Sequence, residues 1–356
     1  MQRQYNHDRQ AFLIKDGEVE FATVPFPYSD TNREGNVFDE ARVANYSFSI
    51  YYKKDVAELD YHIVKVNTGA GGGNPQRLGW MIPLAVLTTE DEASLAEPFL
   101  NEYAFWAFCH LLDLEDIQNA FNDPEATLGS ILDEKYPDGC ILITENAQMP
   151  ADKTEKHYEL SLARNGYFKV GTNYLNPRIT LARGNDLVLT PVGELLDEHG
   201  TYVNSYIEEF LTQHVYNANS FIRFFFLYQI VEVLLDAEMV EILRDFANKI
   251  ENNQTTYRTA DKALQKNTDS ERFGRVVRHS GLQTANYADL DNVCNAFTGL
   301  AGFVNPESVY QVRNHIVHRF RKAVADVAAV KDICDYMELY MYDLLIVYKK
   351  PDANAA

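Results

Sequence analysis

Residues 309–321 read VYQVRNHIVHRFR, and this stretch decides how the C-terminal half of the chain is interpreted. Its apolar residues recur at spacings of three, four and four, the period of a helix with one buried face; they are Val309, Val312, Ile316 and Phe320. The polar residues on or beside the remaining face are Arg313, Asn314, His315, His318 and Arg319. The pattern therefore places five groups that bind phosphate or move protons within about two helical turns.

The helical period also separates some of these groups. Asn314 and His318 are four positions apart and differ by about 40° around the helix axis, whereas Arg313 and His318 differ by about 140°. One helix therefore does not aim the arginine and the histidine at one point. We expect a second helix, for example from a second copy of the chain, to complete the site.

The sequence on either side of this stretch predicts an α+β protein. From about Pro191 the apolar residues follow a helical period, with an amphipathic run over 202–251 that breaks near 217–220 and further patterns at 290–303, 306–322 and 323–348. Before it, aromatic and β-branched runs typical of strands occur at 46–52, 61–66, 140–144, 158–162 and 187–189. One helix, over 92–121, is predicted among these strands.

These patterns predict a β-rich N-terminal domain over 1–195 with one long helix, an all-α domain over 196–350 and a disordered tail over 351–356. The glycine-rich segment NTGAGGGNP, residues 67–75, lies between two predicted strands. It lacks the Lys-Ser/Thr pair of a P-loop and the GxGxxG spacing of a dinucleotide site. We therefore interpret it as a flexible hairpin loop.

The composition is that of a globular protein of 356 residues, long enough for two domains with buried cores. The longest apolar stretch, residues 221–235, contains Arg223, Gln229 and Glu232, so no membrane-spanning segment is predicted. The N-terminal residues do not resemble a secretory signal, and we expect a cytoplasmic location. The cysteines have no metal-binding spacing and are expected to be reduced core thiols; they are Cys109, Cys140, Cys294 and Cys334.

The net charge of −20 argues against a surface that grips nucleic acid along the whole chain. The charge is unevenly distributed, however. Residues 1–200 contain 32 acidic and 16 basic side chains, and residues 201–356 contain 20 acidic and 16 basic ones. Any chemistry on nucleic acid is therefore expected in the C-terminal part.

The pattern Arg-x4-His with a polar residue directly after the arginine, at Arg313, Asn314 and His318, resembles the signature of the HEPN superfamily of helical ribonucleases and toxins. The resemblance covers residues 200–356. Apolar residues flank the pattern on both sides, and it lies on the second-last helix of an all-α segment. The earlier segment FIRFFFLYQIVEVLLD, residues 221–236, is similar to the first long HEPN helix with its embedded acid.

The resemblance implies an endoribonuclease of HEPN type that needs neither a metal nor a cofactor and whose site is shared in a homodimer. It assigns His318 as general acid or base, Arg313 as the ligand of the scissile phosphate, and Asn314 as the group that orients the phosphate or the histidine. His315 is an auxiliary proton carrier, although the family pattern does not require a histidine there. Histidine suits proton transfer near neutral pH, and arginine keeps its charge and binds phosphate oxygens in a fork.

Two further sets of residues have alternative interpretations. Glu232 falls on an apolar face, where it either pairs with Arg313 or lies exposed at the edge of the stripe. A run of basic residues either contacts RNA or forms a solvated helix face, because acidic residues are interspersed in it; its candidates are Arg258, Lys262, Lys266, Arg275 and Arg278, together with Arg319. His315 and His318 also form an HxxH pair, but no third metal ligand has a suitable spacing.

By analogy with nucleases that carry an extra domain, the expected setting is a toxin or an abortive-infection system against phage. A protein or phage-derived trigger is then expected at the N-terminal domain, and RNA at the helical one. Three alternatives remain open. The motif can be an ordinary polar helix face, the domain can be an inactive HEPN-fold module for interaction or nucleotide binding, or the chain can be a helical scaffold or transcriptional regulator.

Overall fold

The computed structural model describes residues 2–6, 8, 11–16, 19–25, 45–56, 61–67, 74–85, 136, 138–169, 186–192 and 219–348. Within these ranges the chain forms two compact units, one built on β-sheets and the other on helices. The α+β prediction is confirmed at this level. The predicted helix over 92–121, the start of the amphipathic run at 202–218 and the tail over 351–356 lie outside the described residues.

The sheet unit contains a three-stranded antiparallel sheet in the order β1-β2-β3 and a six-stranded mixed sheet in the order β8-β4-β7-β6-β5-β9. Strand β9 pairs with β5 in parallel, and the other neighbours in the mixed sheet are antiparallel. The strands are β1 (Gln2–Asn6), β2 (Ala11–Asp16), β3 (Val19–Pro25), β4 (Tyr46–Tyr52), β5 (His62–Val66), β6 (Gln76–Pro83), β7 (Gly139–Glu145), β8 (Phe168–Lys169) and β9 (Asp186–Leu189).

The predicted strands at 46–52, 61–66, 140–144 and 187–189 are confirmed as β4, β5, β7 and β9. The hairpin interpretation of residues 67–75 is also confirmed at its ends, because Val66 pairs with Gln76 across an antiparallel ladder. Gly79 lets β6 approach β7 closely, since a Cβ at this position would lie 1.9 Å from the carbonyl oxygen of Ile143.

The helical unit contains α1 (Glu159–Arg164), α2 (Ser220–Glu251), α3 (Tyr257–Lys266), α4 (Asp269–Ser280), α5 (Ala288–Thr298), α6 (Glu307–His318), α7 (Phe320–Ala323) and α8 (Val327–Val347). Helix α2 begins within the predicted break at 217–220, of which residues 217 and 218 lie outside the described residues. There the side chain of Asn219 accepts hydrogen bonds from the backbone N–H groups of Phe221 and Ile222 at 3.0 and 3.3 Å, which satisfies donors that the first helical turn leaves free.

The prediction of a strand over 158–162 is wrong. Residues 155–158 form a 3-10 turn, and α1 follows directly. Four consecutive residues, 160–163, are buried there, which a half-exposed strand with alternating faces does not produce. Helix α1 packs against α8, and Arg164 forms an ion pair with Asp343. A short apolar run does not distinguish a strand from a buried helix, and contact with α8 decides here.

Among the described residues α2 is the longest helix, and it packs against α4 and α8. Helix α5 packs against α6 and α8. The buried face of α2 includes Phe224, Leu227, Val231 and Leu234, each at most 1% exposed. Helix α8 contributes Ile333, Met337, Met341 and Leu344. Three of the predicted core thiols, Cys140, Cys294 and Cys334, are buried, whereas Cys109 lies outside the described residues.

A buried charge cluster joins α2 to α8. The Arg223 side chain is 1% exposed and forms ion pairs with Glu338, which is equally buried, and with Asp335. The Tyr342 hydroxyl donates a hydrogen bond to the second carboxylate oxygen of Glu338 at 2.7 Å. Burial alone opposes the charge on Arg223, but the two carboxylates outweigh it and raise the pKa of the guanidinium above its ordinary value.

Within the described ranges, no helix combines the length and apolar character needed to cross a membrane.

We expect Arg223→Ala to lower the free energy of unfolding by about 3–5 kcal/mol, because it leaves the carboxylate of Glu338 buried without its partner. Urea denaturation of the full chain measures this change. The matched control is Arg244→Ala, which removes an exposed arginine paired with Glu241 on the same helix and should cost less than about 1 kcal/mol. Equal losses for the two variants would contradict the importance of the buried cluster.

Candidate functional site

Helix α6 carries the motif residues, and the buried stripe that orients it is largely as predicted. Val309, Val312 and Ile316 are each 0% exposed, and Ser308 beside them is 1% exposed. These residues fix the inner face of the helix. Because each residue advances about 100° around the axis, Arg313 and His315 lie on the two flanks of the stripe and Asn314 lies on the opposite side.

The prediction that Phe320 continues this buried stripe is wrong, since its side chain is 52% exposed. Helix α6 ends at His318, and Arg319 leaves the helical conformation with φ −130° and ψ 34°. The carbonyl of Arg319 then accepts hydrogen bonds from the N–H groups of Lys322 and Ala323, which starts α7 in a new direction. The backbone turn therefore removes Phe320 from the helical register.

Arg313 packs between α6 and α2. Its guanidinium carbon lies 6.0 Å from the centre of the Tyr228 ring, within the range of a cation–π contact. Its Nη1 also donates a hydrogen bond to Oδ1 of Asn314 at 3.3 Å. The arginine and the asparagine of the motif are therefore joined, although their backbone positions differ by about 100° around the helix.

Tyr228 is a residue that sequence reasoning did not single out. It is 4% exposed, and its ring stacks on that of Phe224 with centroids 6.1 Å apart. Burial raises the pKa of its hydroxyl; the charge of Arg313 acts in the opposite direction, and the charges of Asp269 and Glu232 add to the rise. Arg313 and two carboxylates are therefore all electrostatic neighbours of this ring. The sequence signal was the position of Tyr228 one turn before Glu232.

Glu232 is exposed, which agrees with one of its two interpretations. No ion pair joins it to Arg313 among the described residues, and its effect is on Tyr228 instead. On the same helix Phe224 is buried, whereas Phe225 is 40% exposed. The buried acid of the C-terminal part of α2 is Glu238, 1% exposed, whose carboxylate lies 2.8 Å from Nδ1 of His279 and accepts a hydrogen bond from the Tyr348 hydroxyl at 3.3 Å.

The two histidines of the motif have different surroundings. The His315 ring lies 5.1 Å from that of Phe297 on α5 and is partly buried. Burial lowers the pKa of His315, and the positive charges of Arg319 and Lys322 lower it further. His318 is the last residue of α6 and is exposed to solvent. His315 therefore favours its neutral, proton-accepting form near neutral pH.

The motif residues are distributed around one helix. Asn314, His318 and His315 span an arc of about 100°, and the hydrogen bond to Asn314 brings the Arg313 guanidinium toward that arc. No hydrogen bond joins Arg313 to His318 in the described part of the chain. One copy therefore presents the hydrogen-bonded pair Arg313 and Asn314, with His315 and His318 beside it.

The predicted RNA-binding residues lie on two separate helices and at the end of α6. Arg258 and Lys262 are exposed on α3, while Arg275 and Arg278 are exposed on α4; Arg319 is exposed directly after His318. Lys266 is the last residue of α3, and its side chain lies outside the described residues. Helix α4 also contacts α6, where Ser270 donates a hydrogen bond to Glu307.

In the described ranges no group of three or more histidine, cysteine, aspartate or glutamate side chains is arranged to hold a metal ion. Comparison of the chain with protein-family models, with curated proteins and with solved structures found no significant match.

We expect the double variant Arg319→Gln, Lys322→Gln to raise the pKa of His315 toward its ordinary value of 6.5, because two charges that oppose protonation are removed. NMR titration of the histidine ring protons measures the shift, with the His315 signal assigned by its loss in His315→Asn. Arg258→Gln combined with Lys262→Gln removes the same charge from α3 and should leave the titration unchanged. An unaltered His315 midpoint in the first variant would contradict this account.

Proposed function

We propose that this protein is a metal-independent endoribonuclease of HEPN type that cleaves RNA by attack of the ribose 2′-hydroxyl on the adjacent phosphate. The single observation that carries the proposal is the arrangement on α6, where Arg313 and Asn314 are hydrogen-bonded to each other beside two histidines. A charged fork and two imidazoles are the groups that such a reaction needs.

The reaction divides into three tasks. A base takes the proton from the 2′-hydroxyl, whose oxygen bonds to phosphorus, while the bond from phosphorus to the 5′-oxygen breaks and an acid protonates that oxygen. Fixed positive charge stabilises the phosphorane between these events. The products are a 2′,3′-cyclic phosphate and a 5′-hydroxyl.

The surroundings of each residue support a division of these tasks. His315, whose pKa is lowered, suits the base, and exposed His318 suits the acid that meets the leaving oxygen. Arg313 binds the scissile phosphate, and its cation–π contact with Tyr228 holds the guanidinium in place. Asn314 orients the arginine by accepting its hydrogen bond.

The helical unit supports the HEPN assignment in its general form. A long amphipathic helix, α2, packs beside α4, which contacts the motif helix α6. The one-turn helix α7 separates α6 from α8, the last described helix. In this proposal the β-rich unit senses a protein or phage-derived trigger, as expected for a toxin or abortive-infection effector. The acidic residues concentrated in the first 200 positions disfavour RNA binding there.

Cleavage of total RNA by the purified protein should persist in EDTA and yield 2′,3′-cyclic phosphate ends. His318→Ala should lower the rate by about 10²- to 10⁴-fold, the usual contribution of a proton-transfer group. Arg313→Ala should lower it by about 10²- to 10³-fold, because it removes a group that stabilises charge in the transition state. Gel analysis of the RNA measures the cleavage rate of each variant, and circular dichroism measures whether the variant is folded.

The control for these variants is Arg244→Ala, an exposed arginine on α2 paired with Glu241, which should cleave at the wild-type rate. Complete loss of cleavage in EDTA, restored by magnesium, would refute the metal-independent mechanism. Folded His318→Ala and Arg313→Ala proteins with near wild-type rates would refute the site assignment. Absence of cleavage by the wild-type protein would favour an inactive interaction or nucleotide-binding module.

The active form is expected to be a homodimer joined near α6, because Arg313 and His318 of one copy diverge around the helix and a two-fold axis brings two of each around one cleft. Mixing wild-type chains with an excess of His318→Ala chains should depress activity below simple dilution once subunits have exchanged. Analytical ultracentrifugation at assay concentrations provides the oligomeric state. A monomer that cleaves at full rate would contradict the shared site.

A further inference from the structure

The segment that follows α6 contains an exposed aromatic residue between basic side chains. Phe320 is 52% exposed, and Arg319, Arg321 and Lys322 around it are also exposed. A large apolar ring outside the core, within a run of four residues that carries three positive charges, has the composition of a nucleic-acid contact rather than of a protein core.

The Phe320 ring is held in a defined position. It makes an edge contact with the Phe221 ring, with centroids 5.6 Å apart and planes at 60°. Phe221 is itself fixed in the first turn of α2, where Asn219 accepts a hydrogen bond from its backbone N–H at 3.0 Å. One side of Phe320 is thus supported while half of its surface remains open, so that little ordering is needed before a flat ligand stacks on it.

The positive charges lie close to the histidines of α6. Arg319 and Lys322 both lower the pKa of His315, so their charges act on that ring, and Arg319 is adjacent in sequence to His318. The next acid in the chain, Asp326, caps α8 by accepting a hydrogen bond from the N–H of Ala329 at 3.2 Å. The segment 319–322 therefore carries three exposed positive charges and no acidic residue, in a chain with a net charge of −20.

We propose that Phe320 is a base-stacking platform for single-stranded RNA, and that Arg319, Arg321 and Lys322 bind the phosphates on either side of the stacked nucleotide. This subsite rests on the proposed ribonuclease function, for which it holds a nucleotide next to the phosphate bound by Arg313. Charge complementarity favours RNA as the occupant, since every nucleotide brings one negative charge and one aromatic face. Stacking on an aromatic ring accepts any base, so the subsite supplies affinity with little sequence preference.

The test is binding of a fluorescein-labelled 2′-O-methyl hepta-adenylate to the full-length protein, measured by fluorescence anisotropy. The 2′-O-methyl groups remove the nucleophile, so the wild-type chain can be used without cleavage. Phe320→Leu should weaken binding by about 5- to 100-fold, and Phe320→Trp should retain it. Tyr61→Leu, which removes a side chain 61% exposed in the sheet unit, is the matched control and should bind normally.

Abasic oligonucleotides separate stacking from a general loss of structure. Removal of one base should weaken binding to the wild-type protein by a similar factor, and should have little further effect on Phe320→Leu. The subsite is overturned if no abasic position shows this coupling, if Phe320→Leu binds like wild type, or if Phe320→Leu changes only the sedimenting mass. The last result would assign the ring to contact between copies.

Cleavage assays with unmodified RNA distinguish failure of the subsite from failure of the proposed function. If the wild-type protein shows the stacking coupling but never cleaves RNA, the subsite is supported and the ribonuclease proposal is refuted. If the wild-type protein cleaves RNA but shows no stacking coupling, only the subsite proposal is refuted.

Discussion

The buried ion cluster of Arg223 with Glu338 and Asp335 is the constraint on which the helical unit depends. A guanidinium that is 1% exposed is tolerated only when carboxylates compensate its charge, and those carboxylates lie more than 100 positions later in the chain, on α8. The cluster therefore fixes both the lengthwise alignment and the rotation of α2 against α8. A shift by one residue would leave a buried charge without a partner.

The alignment of α2 has consequences for the motif helix. Tyr228 lies five positions after Arg223, about 140° further around the same helix. The buried face of α2 is wide enough to include both side chains, so the helix rotation that buries Arg223 also leaves the Tyr228 ring inside the unit, where it stacks on Phe224. The guanidinium of Arg313 lies over that ring and reaches Asn314. A structural ion cluster and a candidate phosphate-binding arginine are thus connected through one helix.

The end of α6 has a comparable influence on the exposed side of the site. Because the helix stops at His318, the residues that follow turn away from the buried stripe, and both Phe320 and the cations around it become exposed. The same turn leaves Arg319 and Lys322 close enough to lower the pKa of His315. Continuation of the helix would have placed Phe320 in line with Ile316 on the buried face.

The sequence by itself determined the elements whose signal is local: strands β4, β5, β7 and β9, the break near 217–220 within which α2 begins, and the stripe of Val309, Val312 and Ile316 that orients the motif. These follow from periodicity and capping, which act over a few residues. Only the tertiary structure decided that residues 158–162 form a 3-10 turn and a helix, that Glu232 is exposed while Glu238 is buried, and that Arg313 packs on Tyr228. Each of these features depends on contact with residues distant in the sequence. A periodic pattern indicates which face of an element is apolar, but it does not indicate which element packs on that face.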